Sequence, residues 1–215
     1  MTSNRPHLII DIKLIEKDIL ILLEGLLNNK KPDYLSETLV TKIIEKNFSK
    51  LFSRYCEKYD ESISIQSMVD LAFVDKDDFY YIVDAKIHEL NTRFNALDPI
   101  AISVEHLSKF YEEDKNYFMI LKIDYLVEGT RVAIKHVTFA PIEFFGWDCL
   151  TLGALGWGQI QIANANVVSI TPKTSRKNWM LELCDTLLEF YPKEIGKIGK
   201  RIDRFKQVRK FWEKK

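Results

Sequence analysis

The sequence predicts a mixed α/β (α+β) protein in which helices flank a central mixed β-sheet. Apolar residues recur at helical spacing towards both ends of the chain, whereas short runs of β-branched and aromatic residues occupy its middle. Apolar residues make up 47% of the 215 residues, enough for one sizeable core, and no repeat or low-complexity linker interrupts them. We therefore expect a single domain, 1–215, with an N-terminal helix (1–32), a central part (33–172) and C-terminal basic helices (173–215).

The first half of the chain predicts two helices followed by a hairpin. Isoleucine and leucine at helical spacing predict a helix over 9–28, and a second amphipathic helix spans 36–55 after a serine suited to capping it. Two β-rich runs, 66–74 and 79–86, are then separated by turn-forming residues at 75–78. This pattern is typical of an antiparallel hairpin.

The second half predicts a further helix and three more strands. An Asp-Pro pair opens a helical stretch over 98–111. Strands follow at 117–126 and 131–140, divided by a Glu-Gly turn. The glycine-rich segment 146–158 is predicted to be a loop whose backbone passes close to another group, and 159–169 alternates as a strand does.

Charge is distributed unevenly along the chain, although its formal net charge is zero. Residues 173–215 hold 13 Lys or Arg and 6 Asp or Glu, whereas residues 1–172 hold 18 and 25. Two closing helices are predicted here, at 175–191 and 193–212, and the second is strongly basic. Such a surface suits a polyanionic partner, although a solvated helix face has the same composition.

The cysteines and the missing motifs narrow the class of protein. Cys56, Cys149 and Cys184 are odd in number and widely spaced, so they predict neither a disulfide framework nor a zinc site. We expect a cytoplasmic protein with no membrane partner, because no apolar run is long enough to span a bilayer. The phosphate-binding motifs GxxxxGK[ST] and GxGxxG do not occur, so no nucleotide cofactor is expected.

Two carboxylates and a lysine stand out in the predicted hairpin. Asp70 lies in its first strand, and Asp84 and Lys86 lie in its second. Side chains two residues apart on a strand share a face, so Asp84 and Lys86 point the same way. Antiparallel pairing around the turn would set Asp70 beside Asp84. Carboxylates in so apolar a context need partners, because burying them unpaired is costly.

Adjacent carboxylates repel each other unless a cation lies between them, which favours an oxygen-lined Mg²⁺ site. Asp70, Asp84 and the main-chain carbonyl of Ala85 are the predicted ligands. Phosphodiester hydrolysis needs a nucleophilic water and neutralisation of charge on the phosphate, which a metal and an ammonium can supply together. Lys86 is placed for this, either positioning and deprotonating the water or stabilising charge on the phosphate.

These residues resemble the signature of the PD-(D/E)xK nucleases, which is an acidic residue, a hairpin-length gap and then Asp/Glu-x-Lys. Here the signature is Asp70 followed by Asp84-Ala85-Lys86, with Val69 in place of the family's proline. In the family, a preceding helix often carries an acid that faces the metal site, and Glu37 looks like that residue. The resemblance thus implies a restriction-endonuclease-like fold with Asp70, Asp84, Lys86 and Glu37 as catalytic residues.

The resemblance narrows to the HincII/EcoRV-like blunt-cutting branch of the type II restriction endonucleases and covers about 35–212. Strings such as Asp70-Leu71-Ala72 and Gly158-Gln159-Ile160-Gln161-Ile162 carry it. It implies a homodimer that encloses double-stranded DNA and cuts a palindromic site, with the N-terminal helix as a candidate subunit contact. Seven polar residues would then face the DNA grooves: Asn91, Thr92, Arg93, Asn95, Gln159, Gln161 and Asn164.

Three alternatives stay open at this point. Asp84 and Lys86 could form an ordinary salt bridge on an edge strand, and the chain could be a non-catalytic DNA-binding protein. A structure-selective resolvase or repair nuclease of the same fold would use the same metal site.

The histidines show no paired metal spacing, but His88 lies two residues beyond Lys86 on the same face and could contact a phosphate.

Overall fold

The computed structural model describes residues 11–27, 35–56, 70–90, 98–129, 131–154, 156–163, 168–171 and 175–215. The chain divides into two compact units, Met1–Lys173 and Thr174–Lys215. The strands and the shorter helices belong to the first unit, and one long helix forms the second.

The elements follow one another in a mixed order of helices and strands. The helices are α1 (Ile12–Leu27), α2 (Glu37–Lys46), α3 (Phe48–Phe52), α4 (Val104–Phe110) and α5 (Arg176–Trp212). The strands are β1 (Leu71–Val74), β2 (Tyr80–Glu89), β3 (Asp98–Ser103), β4 (Asn116–Glu128), β5 (Arg131–Pro141), β6 (Leu150–Gly153) and β7 (Gln159–Ile162). Within the described ranges, no helix has both the length and the apolar content needed to cross a membrane.

Four strands form a mixed sheet in the order β1-β2-β4-β5. β1 pairs antiparallel with β2, β2 runs parallel to β4, and β4 pairs antiparallel with β5. Parallel neighbours need a crossover connection, and the chain between β2 and β4, which contains β3 and α4, provides it. The predicted mixed α/β (α+β) class with its mixed sheet is therefore confirmed.

One face of this sheet carries the main hydrophobic core. On β2, Tyr81, Val83 and Ala85 are buried in that core. Because side chains alternate along a strand, Asp84 and Lys86 point to the opposite face. The same alternation that buries the apolar residues therefore gathers the charged ones on the other side of the sheet.

The apolar side of α1 packs into the same core and contacts β5. Its buried residues recur every four positions, as one face of a helix requires: Ile15, Ile19, Leu23 and Leu27. The apolar side of the helix that the family resemblance implies as a subunit contact is thus used within the chain. A contact through α1 would have to use outward residues such as Ile21 and Leu26.

A second sheet of three antiparallel strands has the order β3-β7-β6. The predicted helix over 98–111 was wrong in its first part, because α4 begins only at Val104 after the capping Ser103. Residues 98–103 form β3 instead. Ile100 and Ile102 are β-branched, lie two residues apart and are both buried, which favours a strand over a helix.

The glycine-rich segment also differs from its prediction. The expected loop over 146–158 contains β6, and the expected strand over 159–169 is β7, which ends at Ile162. β6 exists because it pairs with β7, with Leu150 opposite Ile162. Its four residues include a glycine, and they are too few to show the alternation of apolar and polar residues by which a sequence indicates a strand.

The second unit is one continuous helix, whereas the sequence predicts two closing helices. α5 begins after Ser175, whose hydroxyl accepts a hydrogen bond from the Asn178 N–H at 3.2 Å, and it carries Pro192 in its interior. A proline removes one helical hydrogen bond, but the turns on either side keep theirs. The predicted break at this position was therefore wrong.

Candidate active site

The turn that joins β1 to β2 sets the register of the hairpin. The carboxylate of Asp75 accepts hydrogen bonds from the N–H groups of Asp77 and Phe79 at 2.9 and 3.0 Å. Its other oxygen accepts a hydrogen bond from the Tyr81 hydroxyl at 2.7 Å. Asp78 adopts a positive φ of 61°, which aspartate tolerates better than most residues. This closed turn fixes which residues of the two strands face each other.

The resulting register brings Asp70 to Asp84. Leu71 is paired with Val83, and the Asp70 N–H donates to the Val83 carbonyl at 3.1 Å, so the next position along places Asp70 opposite Asp84. The Asp70 carboxylate then accepts a hydrogen bond from the Ala85 N–H at 2.7 Å. A side-chain oxygen thus takes the position that a strand carbonyl would otherwise occupy. The juxtaposition that the sequence predicts is present.

Asp84 and Lys86 lie side by side on β2. The Lys86 ammonium donates to Asp84 Oδ1 at 3.0 Å. Lys86 is 8% exposed and Asp84 is 1% exposed. Glu37 Oε1 lies 3.9 Å from the same ammonium. The structure therefore brings Lys86 together with the predicted acidic residues from β2 and α2.

The cap of α2 positions Glu37. The Ser36 hydroxyl accepts a hydrogen bond from the Leu39 N–H at 3.1 Å, which starts the helix at Glu37. A carboxylate in the first turn is also favoured by the helix dipole. The Glu37 side chain is 47% exposed, so this side of the cluster opens to solvent.

The pKa of Lys86 is raised above its ordinary value. Burial of the ammonium is the largest single influence and lowers the pKa. The carboxylates of Asp84, Glu37 and Asp70 act in the opposite direction and together outweigh burial. Lys86 is therefore a cation at neutral pH, held among acidic groups that favour its charged form.

A second charged row lies beside this one on β4. The parallel register pairs Lys86 with Lys122 and His88 with Asp124. The Lys122 ammonium donates to Asp124, and His88 Nδ1 lies 3.0 Å from Asp124 Oδ1. Lys122, at 1% exposed, is more deeply buried than Lys86. His88 thus has a carboxylate partner within the sheet.

Lys122 and Asp124 were not predicted from the sequence as site residues. The strand that carries them was predicted correctly, but most of its residues are apolar, so two isolated charges do not indicate a site. The available signal was their spacing. Charged residues two apart on a strand with buried neighbours must share a face and pair with something there.

The oxygen donors where Asp70 lies against Asp84 and Ala85, beyond the end of the β1–β2 pairing and here called the edge of β2, suit a hard cation. The predicted ligands Asp70, Asp84 and the Ala85 carbonyl offer only oxygen, and Glu37 adds a further carboxylate nearby. Among the residues that the structure describes, however, no three His, Cys, Asp or Glu side chains are grouped as a metal cage. Mg²⁺ commonly binds through one or two carboxylates and completes its shell with water and phosphate. The residues present fit a cation of that kind.

The residues predicted to contact DNA fall into two sets. Gln159 and Gln161 share one face of β7, while Ile160 and Ile162 are buried on the other. The Gln159 amide donates to the Ile100 carbonyl of β3 at 3.1 Å, so it already links two strands. The remaining predicted contacts lie outside the described residues: Asn91, Thr92, Arg93, Asn95 and Asn164.

Gly153 makes room for the amide of Gln161. A Cβ atom at Gly153 would lie 2.8 Å from Gln161 Nε2, which is closer than side chains tolerate. The glycine-rich segment therefore does approach another part of the chain closely, and its partner here is a predicted recognition residue.

The chain matches no known family model and no curated protein.

Proposed function

We propose that the chain is a Mg²⁺-dependent endonuclease of the PD-(D/E)xK type. Specifically, it would be a cytoplasmic type II restriction enzyme that hydrolyses double-stranded DNA at a palindromic site and leaves blunt ends. The observation that carries the proposal is the edge of β2, where Asp70 lies opposite Asp84 and the Lys86 ammonium is hydrogen-bonded to Asp84. Acidic oxygen donors next to a buried ammonium are the groups that phosphodiester hydrolysis needs.

Each residue has a distinct part in this proposal. Asp70, Asp84 and the Ala85 carbonyl would hold the cation, which would supply Lewis-acid stabilisation of negative charge on the phosphate. Asp84 and Glu37 keep Lys86 protonated and hold its ammonium next to Glu37, which is the exposed part of the cluster. From there the ammonium can orient the attacking water or donate to a phosphate oxygen.

Lys86 is a better candidate than Lys122 for contact with DNA. Both lysines lie on the same face of the sheet, but Lys122 is almost fully buried and its ammonium is paired with Asp124. Lys86 borders Glu37, which is about half exposed, so a phosphate could reach it. The row on β4 would then support the strand that carries the reacting groups.

The charge distribution and β7 support DNA as the substrate. The basic surplus within 173–215 suits a phosphate backbone, and the half-buried side-chain amides of Gln159 and Gln161 on β7 are of the type that suits adenine edges. A homodimer would match the twofold symmetry of a palindromic site.

The test is incubation of the purified chain with phage DNA at low salt, with Mg²⁺ or with chelator. We expect discrete fragments only with Mg²⁺, and sequencing of their ends would give the site and the cut position. Lys86→Ala should abolish cleavage. Lys135→Ala, on β5 and paired with Glu128 at 2.7 Å, is the matched control and should cut normally.

Two other results would redirect the assignment. If intact duplexes survive but branched substrates are cut, the chain is a structure-selective nuclease. Binding of DNA that survives Lys86→Ala, with no cleavage under any divalent metal, would indicate a non-catalytic DNA-binding protein.

A further inference from the structure

α5 carries two rows of large apolar side chains, and all of them except the half-buried Tyr191 are exposed. The first row recurs every seven residues: Leu181, Leu188, Ile195 and Ile202. These four residues are 54%, 73%, 69% and 51% exposed. Single exposed leucines are ordinary, but a regular row along one helix is a surface that favours burial.

The second row follows the first at a constant offset. It also recurs every seven residues: Tyr191, Ile198, Phe205 and Trp212. Phe205 and Trp212 are 71% and 63% exposed, and Ile198 is 49% exposed. Steps of three and four residues therefore alternate from Leu188 to Phe205, and Cys184 and Arg209 occupy the equivalent positions nearer the two ends. This is the heptad repeat, which forms the seam of a coiled coil when a second helix with the same repeat lies against it.

A second copy of the chain offers such a helix, and the seam is self-complementary in one antiparallel alignment. In that alignment Leu181 lies opposite Trp212 of the second copy, and Leu188 lies opposite Phe205. Ile195 then meets Ile198 at the centre. These layers, and the layer of Ile202 with Tyr191, each pair a residue of the first row with a residue of the second, as antiparallel coiled coils require. Between the Leu181 and Leu188 layers, Cys184 lies opposite Arg209.

The charges beside the seam select the same alignment. It places Asp185 next to Lys206 of the second copy and Glu194 next to Arg201, so both flanking charge pairs attract. Within one chain, Lys206 contacts Asp203 at 3.2 Å and Glu194 contacts Lys197 at 2.6 Å. Both contacts lie within the helix and can be exchanged or shared at little cost.

Other alignments bring like charges together. A parallel pair in register would place Arg201 beside Lys206 of the second copy. A shift of the antiparallel pair by one heptad places either Glu194 or Arg201 beside its own counterpart. Like charges at these positions destabilise a coiled coil and suppress the wrong pairing.

We infer that α5 is a dimerisation helix that pairs with α5 of a second copy as an antiparallel coiled coil, with Leu181 opposite Trp212. The central residues permit close approach, since Pro192 then lies beside Gly199 of the second copy. The contact is independent of the proposed nuclease chemistry, because it uses neither the edge of β2 nor DNA.

The first test is sedimentation of the full chain over a range of concentrations, without DNA or divalent metal. Wild type should be dimeric at micromolar concentration. Ile195→Asp and Ile198→Asp should each yield a folded monomer, because both side chains are exposed in the single chain. Gln207→Asp, on the outer side of α5, introduces the same charge and should leave the dimer intact. A wild-type chain that stays monomeric at 100-fold higher concentration would overturn the inference.

The second test fixes the alignment by exchanging charges. Asp185→Lys and Lys206→Asp should each weaken the dimer roughly ten-fold, because each creates two symmetric like-charge contacts. The double variant should return close to the wild-type dissociation constant. In a parallel pair Lys206→Asp would instead face Arg201 and strengthen the dimer, and that result would overturn the antiparallel alignment.

Cross-linking gives an independent readout. Cys184 is exposed and lies opposite Arg209 of the second copy in the antiparallel alignment. With an added oxidant, Arg209→Cys should form a disulfide-linked dimer, whereas wild type should not. Rapid cross-linking of wild type through Cys184 would instead show a parallel pair, because Cys56 and Cys149 are buried.

Discussion

At the scale of single residues, the Asp70 carboxylate has both a structural and a proposed catalytic role in the candidate site. Asp70 completes the hydrogen bonding of β2 by accepting from the Ala85 N–H, and it adds negative charge beside Asp84. A structural role needs only the acceptor oxygen, whereas a catalytic role needs the charge. The two roles can therefore be separated by substitution.

Asp70→Asn keeps an acceptor oxygen and removes the charge. We expect stability within about 1 kcal/mol of wild type and cleavage reduced by at least about 100-fold. Asp70→Ala removes the hydrogen bond as well and should cost about 1–3 kcal/mol. Urea unfolding and timed DNA cleavage measure the two effects. Full activity in Asp70→Asn would show that Asp70 serves the fold alone.

At this scale, the sequence predicts the positions of side chains correctly where their spacing along a strand decides them. Asp84 and Lys86 share a face because they are two apart on a strand, and the register of a short hairpin follows from its turn. Lys122 lies next to Lys86 because β2 pairs in parallel with β4. That pairing joins segments far apart in sequence, and no local pattern indicates its register.

At the scale of elements, α2 connects a helix cap to the site. Ser36 caps the helix, and its first residue, Glu37, reaches Lys86. The start of this helix was predictable because a capping serine precedes an amphipathic run. By contrast, β3 and β6 depend on pairing with β7, so tertiary contacts override the local helix and loop signals there.

Ser36→Ala removes the cap while leaving Glu37 in the sequence. We expect a loss of about 1 kcal/mol in the free energy of unfolding, because one N–H at the helix start loses its partner. Cleavage should fall modestly, since the frayed turn holds Glu37 less firmly. Ser36→Thr keeps the hydroxyl and is the control. An unchanged unfolding midpoint in Ser36→Ala would mean that the cap does not stabilise α2.

At the scale of the whole molecule, several buried groups have raised pKa values. Burial raises the pKa of Cys56 to about 12, and it raises the pKa values of Cys149 and Tyr81 as well. Asp75 adds to the effect at Cys56 and Tyr81. In the unfolded chain these groups have their ordinary pKa values. As the pH rises, they therefore lose their protons at a lower pH in the unfolded state than in the folded state.

Stability should therefore be level from about pH 6 to 8 and fall above about pH 8.5. The stabilising contribution is complete below the ordinary pKa of each group and is lost as the pH rises. The free energy of unfolding can fall by about 1.4 kcal/mol per pH unit for each such group. Urea unfolding at a series of pH values measures it. Cys56→Ala with Cys149→Ala should delay the fall towards pH 10, and stability that rises over this range would contradict the sign.

The central claim is that the chain hydrolyses DNA with Mg²⁺ at the site formed by Asp70, Asp84 and Lys86. Its most direct test is the rate of phage DNA cleavage by wild type and by Asp84→Asn, both checked for folding by circular dichroism. We predict discrete fragments from wild type and a rate at least about 100-fold lower from Asp84→Asn, because the amide keeps the shape but removes the charge. Equal rates for the two chains, or intact DNA with wild type across several genomes and metals, would contradict the claim.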